Sequence, residues 1–135
     1  DQITSGAGND LMIFEVLENA SNDAGNGVDT WNDFHVGSVA TDTNADMINI
    51  SALLDGNQTD SNIKNYLSII EEKDSQGEKT GNVILQVDRD GKTYEETEEG
   101  TLVIKEDQFT NKDLLVLQNI DVTLEQLLQN NQIIF

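Results

Sequence analysis

Two nine-residue stretches constrain this chain more than any other feature. Ser5-Gly6-Ala7-Gly8-Asn9-Asp10-Leu11-Met12-Ile13 and Ala24-Gly25-Asn26-Gly27-Val28-Asp29-Thr30-Trp31-Asn32 share glycines at positions two and four, aspartate at six and a large apolar residue at eight. Both fit the repeat Gly-Gly-x-Gly-x-Asp-x-apolar-x, in which a calcium-binding glycine turn precedes a short strand of a parallel coil, with Ser5 and Ala24 in place of the first glycine. Equivalent positions lie 19 residues apart, close to the roughly 18 residues of a coil made from two such units. That spacing predicts two glycine turns on one edge, one above the other, joined to strands about 4.8 Å apart.

Stacking of that kind brings Asp10 close to Asp29. Two like charges 4 Å apart repel by about 4 kcal/mol at an effective dielectric near 20, and a divalent ion between them reverses the sign. Glycine at positive φ turns carbonyl oxygens inward to join the carboxylates, and calcium accepts six to eight oxygens. The predicted ligands are Ser5, Ala7, Gly8 and Asp10 on one turn and Ala24, Asn26, Gly27 and Asp29 on the other. Asp33 follows the second strand, and Asp46 opens a further coil, with Asp42 and Asn44 just before it. For these four, ordinary use in turns and caps competes with metal binding.

Charge points the same way. Twenty-six Asp and Glu face seven Lys and Arg, for a net charge of −19. Such a surface repels nucleic acid and anionic lipid, so neither is an expected partner. Solubility alone accounts for many acidic surfaces, but here carboxylates sit on glycine turns suited to hard cations. Cysteine and proline are absent, so there is no disulfide or thiolate site, and turns fall to Gly, Asn and Asp. No apolar run approaches the ~18–20 residues of a membrane span, and no insertion is expected. A chain opening on Asp1 and entering a motif at once reads as a piece of a longer polypeptide. His35 is the only histidine, without a nucleophile motif or phosphate loop around it, and the chain is not expected to be an enzyme.

The remaining pattern gives one continuous domain in two portions. Residues 1–55 carry apolar runs 11–16, 30–36 and 47–50 between turn formers, with Phe14, Trp31 and Ile48 as core residues. Residues 56–135 hold a short helix over 60–67 and strand-like runs at 101–104 and 114–117. Runs at 83–87 and 92–95 flank the hairpin turn Asp88-Arg89-Asp90-Gly91. Asn57-Gln58-Thr59 is a chance acceptor triplet in an Asn-rich chain. Thr123 and Gln126 form a capping box opening a two-turn helix with Leu124, Leu127 and Leu128 on one stripe, before a final Ile133-Ile134-Phe135. The expected fold is mainly β. It comprises a short calcium-bound parallel β-roll or β-solenoid, continued and capped by antiparallel strands with a short C-terminal helix.

With Ser5 to Asp10, Gly27 to Gly37, Asn44 to Leu54, Val87 to Gly91 and Leu127 to Phe135 in view, the chain resembles the C-terminal type I secretion target region of RTX-type bacterial adhesins. The long tandem nonapeptide array of RTX toxins is missing. The resemblance implies export through an inner-membrane ABC transporter, a periplasmic adaptor and an outer-membrane channel, towards the extracellular face of a bacterial cell. It implies an uncleaved signal near the end, for which Leu124, Leu127, Leu128, Ile133, Ile134 and Phe135 are the candidates. It also implies a part of a biofilm adhesin that folds on binding Ca2+ outside the cell, monomeric in isolation. The alternative is a module that grips sugar, peptide or a surface directly; a plain structural cap is a third reading.

Overall fold

The computed structural model describes residues 1–55, 58–91, 94–104, 109 and 111–135. Asn57 of the acceptor triplet, and Lys92 and Thr93 of the expected hairpin strand, lie outside the described residues. Among the described residues the fold is mainly β, with one short helix and a single 3-10 turn, Ile63–Asn65, within the expected helix at 60–67.

Ten strands are described. In chain order they are β1 (Gln2–Ile3), β2 (Leu11–Ile13), β3 (Asp29–Trp31), β4 (Met47–Asn49), β5 (Leu67–Lys73), β6 (Lys79–Val87), β7 (Tyr94–Glu96), β8 (Leu102–Ile104), β9 (Lys112–Leu117) and β10 (Ile133–Ile134); helix α1 spans Leu124–Gln129. A five-stranded sheet has the order β1-β3-β9-β6-β5, a three-stranded sheet β10-β4-β2, and β7 pairs with β8. The first four strands therefore alternate between the two larger sheets. β1 and β3 are parallel with Gln2 opposite Thr30, and β2 and β4 are parallel with Leu11 opposite Met47.

That register corrects the stacking expected from the 19-residue spacing. The Ser5–Asp10 turn leads from the large sheet to the small one, whereas the Ala24–Asp29 turn leads back again. A 19-residue repeat closes one coil only if two strands lie inside it, and here β2 alone separates the turns. Residues 14–28 lack an alternating apolar run and fold as a loop. Many of its backbone hydrogen bonds are local, such as Leu17 and Glu18 N–H donating to Ala24 O, both at 2.8 Å. Asp10 and Asp29 thus precede strands of different sheets and do not share a stack. The late hairpin is also different. Val87 leads into a turn closed by Gly91 N–H donating to Asp88 O, but β6 pairs with β5 and β9, while β7 pairs with β8. β5 begins at Leu67, the last residue of the expected helix; Leu67 is its one buried residue, and the outward Ile70 breaks the alternation of apolar and polar residues that marks a strand.

One core unites these parts. Trp31 from β3, Leu85 from β6, Leu115 and Leu117 from β9 and Ile48 from β4 are all buried, with Leu127 of α1 among them. Each such side chain contributes about 1.5–3 kcal/mol, which lets three-residue strands persist. Trp31 and Phe34 meet edge to face, centroids 5.1 Å apart.

The tail is woven into that core. Thr123 caps α1 as the sequence foretold, with its hydroxyl accepting from Gln126 N–H and Gln126 reaching back to Thr123 N–H. Leu124 and Leu127 are buried, Leu128 and Phe135 pack against the core, and β10 adds to β4 in parallel with Ile133 opposite Ile48. Ile133 points inward and Ile134 is exposed.

Candidate metal centre

The Ser5–Asp10 turn meets the loop between β3 and β4, and the contacts run from carboxylates to backbone N–H groups. Gly6 and Gly8 adopt φ of +94° and +108°, a conformation that aims successive N–H groups towards one side. Asp33 receives Ser5 N–H at 2.9 Å, Gly6 N–H at 2.7 Å and the Trp31 indole N–H at 3.0 Å. The Ser5 and Gly6 N–H groups, before any other cause, hold the Asp33 carboxyl below its ordinary range. Asn44 Oδ1 accepts from Gly8 N–H at 3.2 Å, and the Asn9 side-chain amide donates to Ala45 O.

Asp46 joins the two segments. It is 1% exposed, with Oδ1 accepting from Asp10 N–H at 2.9 Å and Oδ2 from His35 N–H at 2.8 Å. Asp42 accepts from Asn44 N–H at 2.9 Å and meets His35 Nε2 at 2.9 Å. Its carboxyl is lowered, first by the Asn44 N–H and then by His35. Gly37 lies against this pair, and a Cβ there would stand 2.2 Å from Asp42 Oδ2.

Asp10 is the exception. The pairing of Leu11 with Met47 makes Asp10 the register equivalent of Asp46, yet its Oδ2 is buried with no hydrogen-bond partner. It lines a cleft with Ile3, Ser5, Leu11, Met12, Ile13 and Trp31. A buried carboxylate oxygen without a donor is costly, and a hard cation is one chemistry that satisfies it. In that respect the first turn fits calcium. The protein would supply Asp10 and oxygens of Ser5, Ala7 and Gly8, and water the rest. Among the described residues, no three acidic or histidine side chains gather as a ready-made ligand group.

The second turn is built otherwise. Ala24 is buried at φ +56°, and its carbonyl takes two N–H groups. Asn26 uses its side chain as a donor, to Glu15 O at 2.9 Å and Asp23 O at 3.0 Å. Gly27 has φ +70° with open space around it. Asp29 Oδ1 accepts from the Asp1 N–H at 2.8 Å. Asp23, one of the loop's carboxylates, is lowered chiefly by the Ser21 hydroxyl at 2.5 Å.

Two residues at the heart of these arrangements escaped the sequence reading. Gln132 is 0% exposed. Its Nε2 donates to His35 O at 2.9 Å and Asp46 O at 2.8 Å, and its Oε1 accepts from Gly37 N–H at 3.2 Å. Arg89, the chain's single arginine, is 2% exposed and bonds to Asn19 and Ser21 in the loop ahead of the second turn. A Gln directly before the apolar Ile133-Ile134-Phe135 and a single Arg in an acidic chain were the available signals. Comparison with protein-family models, curated proteins and solved structures finds no match to the chain.

Proposed function

We propose that this chain is a calcium-responsive module at the C-terminal end of a secreted bacterial surface adhesin, exported by a type I system and completed by calcium outside the cell. Its first four strands, alternating between two sheets with parallel partners, serve as a short β-roll. The observation that carries the reading is the buried, unpartnered Asp10 Oδ2 on a glycine turn of calcium-binding pattern. The ion's chemistry is to neutralise that oxygen, and an affinity of about 10⁻⁴–10⁻³ M, typical of extracellular modules, leaves the site empty inside a cell and filled outside. Binding to the folded form then stabilises it by mass action.

The tail supports the export half of the proposal by its burial. Leu127 and Gln132 are fully enclosed and Ile133 nearly so, so a transporter reads Leu124 to Phe135 only on an unfolded chain. Late, calcium-assisted folding keeps that window open. The test is circular dichroism and melting temperature with millimolar calcium and with chelator, alongside export of a passenger fused ahead of Asp1. A spectrum and midpoint indifferent to calcium would sink the metal reading, and export unaffected by deleting residues 124–135 would sink the signal.

A further inference from the structure

Arg89 lies in the turn after β6, and its guanidinium reaches the 15–27 loop. Its Nε donates to Leu53 O at 2.9 Å, and one terminal nitrogen donates to Asn19 O at 2.8 Å and Ser21 O at 2.9 Å. The Phe109 ring covers the other side, its centroid 4.3 Å from the guanidinium carbon. The Arg89 carbonyl accepts from Asp55 N–H at 2.6 Å, so main chain and side chain both grip the 53–55 turn.

We infer that Arg89 is a built-in cation for the loop that leads into the second glycine turn, gathering the Asn19, Ser21 and Leu53 carbonyl oxygens as a metal ion would. A guanidinium carries a permanent positive charge and a rigid fan of five N–H donors, so carbonyls converging from two segments are bound without a free ion. Two of the four residues expected on a metal in this half have their oxygens engaged elsewhere: Ala24 O with Leu17 and Glu18 N–H, and Asp29 with the Asp1 N–H. The 15–27 loop is therefore ordered without metal, and calcium sensitivity is confined to the Ser5–Asp10 turn. That confinement rests on the calcium reading above; the clamp itself does not.

Hydrogen–deuterium exchange of the whole chain, with millimolar calcium and with chelator, separates the two. In the wild type, amides of residues 17–26 should exchange alike in both conditions, while residues 8–14 respond to calcium. Arg89→Met should speed exchange at residues 17–26 by about tenfold or more in both conditions, the scale of losing hydrogen bonds to a buried charge. Arg89→Lys should fall between, since an ammonium keeps charge but not the fan. Faster exchange at 17–26 on chelation with Arg89 intact overturns the inference, as does a Met variant with unchanged exchange there. Should Arg89→Met fail to fold, the Lys variant decides: acceleration centred on 17–26 supports the clamp, and even acceleration across β6 and β9 overturns it. If no segment responds to calcium, the metal reading falls and the clamp stands.

Discussion

Replacing Asp46 by Asn distinguishes a carboxylate that caps backbone N–H groups from one that serves a metal. Asp46 is enclosed, and its two oxygens accept from Asp10 N–H and His35 N–H. Asparagine keeps one acceptor and turns the other into an NH2 donor facing an N–H donor. One charge-assisted bond is lost, worth about 1.5–3 kcal/mol, and a buried N–H is left unsatisfied. Together these destabilise by roughly 2–4 kcal/mol, a large share of the ~5–15 kcal/mol of a typical domain. At about 3–5 °C per kcal/mol for a chain of this size, the melting temperature falls by roughly 6–20 °C. Urea titration should show a lower midpoint at constant slope. The loss should be present in chelator as well as in calcium, because the partners are N–H groups of the protein. A loss below about 0.5 kcal/mol, or one present only with calcium, refutes the capping argument.

Three further outcomes follow from the same geometry. Asp33 has a depressed carboxyl, so its stabilisation is present above the ordinary aspartate value near 3.9 and is lost as pH falls through the lower folded value. The stability gap between wild type and Asp33→Asn should be flat from about pH 7 to 5 and shrink below about pH 4; a gap that widens on acidification contradicts the assignment. Using the difference cancels the relief of general repulsion that acid brings to so acidic a chain. Asp10→Asn should abolish any calcium-induced rise in melting temperature while costing under about 1 kcal/mol in chelator, since the removed charge has no donor on Oδ2; calorimetry with calcium chloride checks the binding. Thr123→Ala should cost about 1 kcal/mol through loss of the capping box, and an unchanged urea midpoint would deny that α1 depends on its cap.

Local patterns were legible in the sequence and their assembly was not. The glycine turns, the starts of the strands at Leu11, Asp29 and Met47, and the Thr123 cap depend on near neighbours and lie where their residues imply, although the apolar runs 11–16 and 30–36 end as strands at Ile13 and Trp31. Register failed because it depends on how many strands occupy the interval between two motifs. Phe14 to Asp23 had to be judged strand or loop, and its loop character lengthens the repeat to 28 residues between Ser5 and Asp33 and 36 between Asp10 and Asp46. Those spacings are hard to see as a repeat because most equivalent positions carry different residues, such as Ser5 opposite Asp33 and Gly8 near Asn44, and Asp10 with Asp46 is an isolated agreement. The choice between anion cap and metal ligand is likewise invisible, since one aspartate on one glycine turn suits both.

Gln132 makes the two ends of the chain answer to each other. It binds Asp46 O and His35 O, and Asp46 in turn binds Asp10 N–H, so a direct chain of hydrogen bonds links the docked tail to the turn proposed to hold calcium. A ligand that favours the ordered turn must then favour the docked tail by the same free energy, and the reverse. Gln132→Ala removes that link while leaving Ile133 free to pair with Ile48. Asp46 O and Gly37 N–H lose their side-chain partner inside the protein, which costs about 2–4 kcal/mol. Under the calcium proposal, the variant should need more calcium to fold, and calcium should no longer slow amide exchange in residues 127–134, although it still protects residues 8–14. Tail protection that follows calcium equally in wild type and Gln132→Ala would mean the coupling runs through the packed core around Ile48 and Leu127 instead.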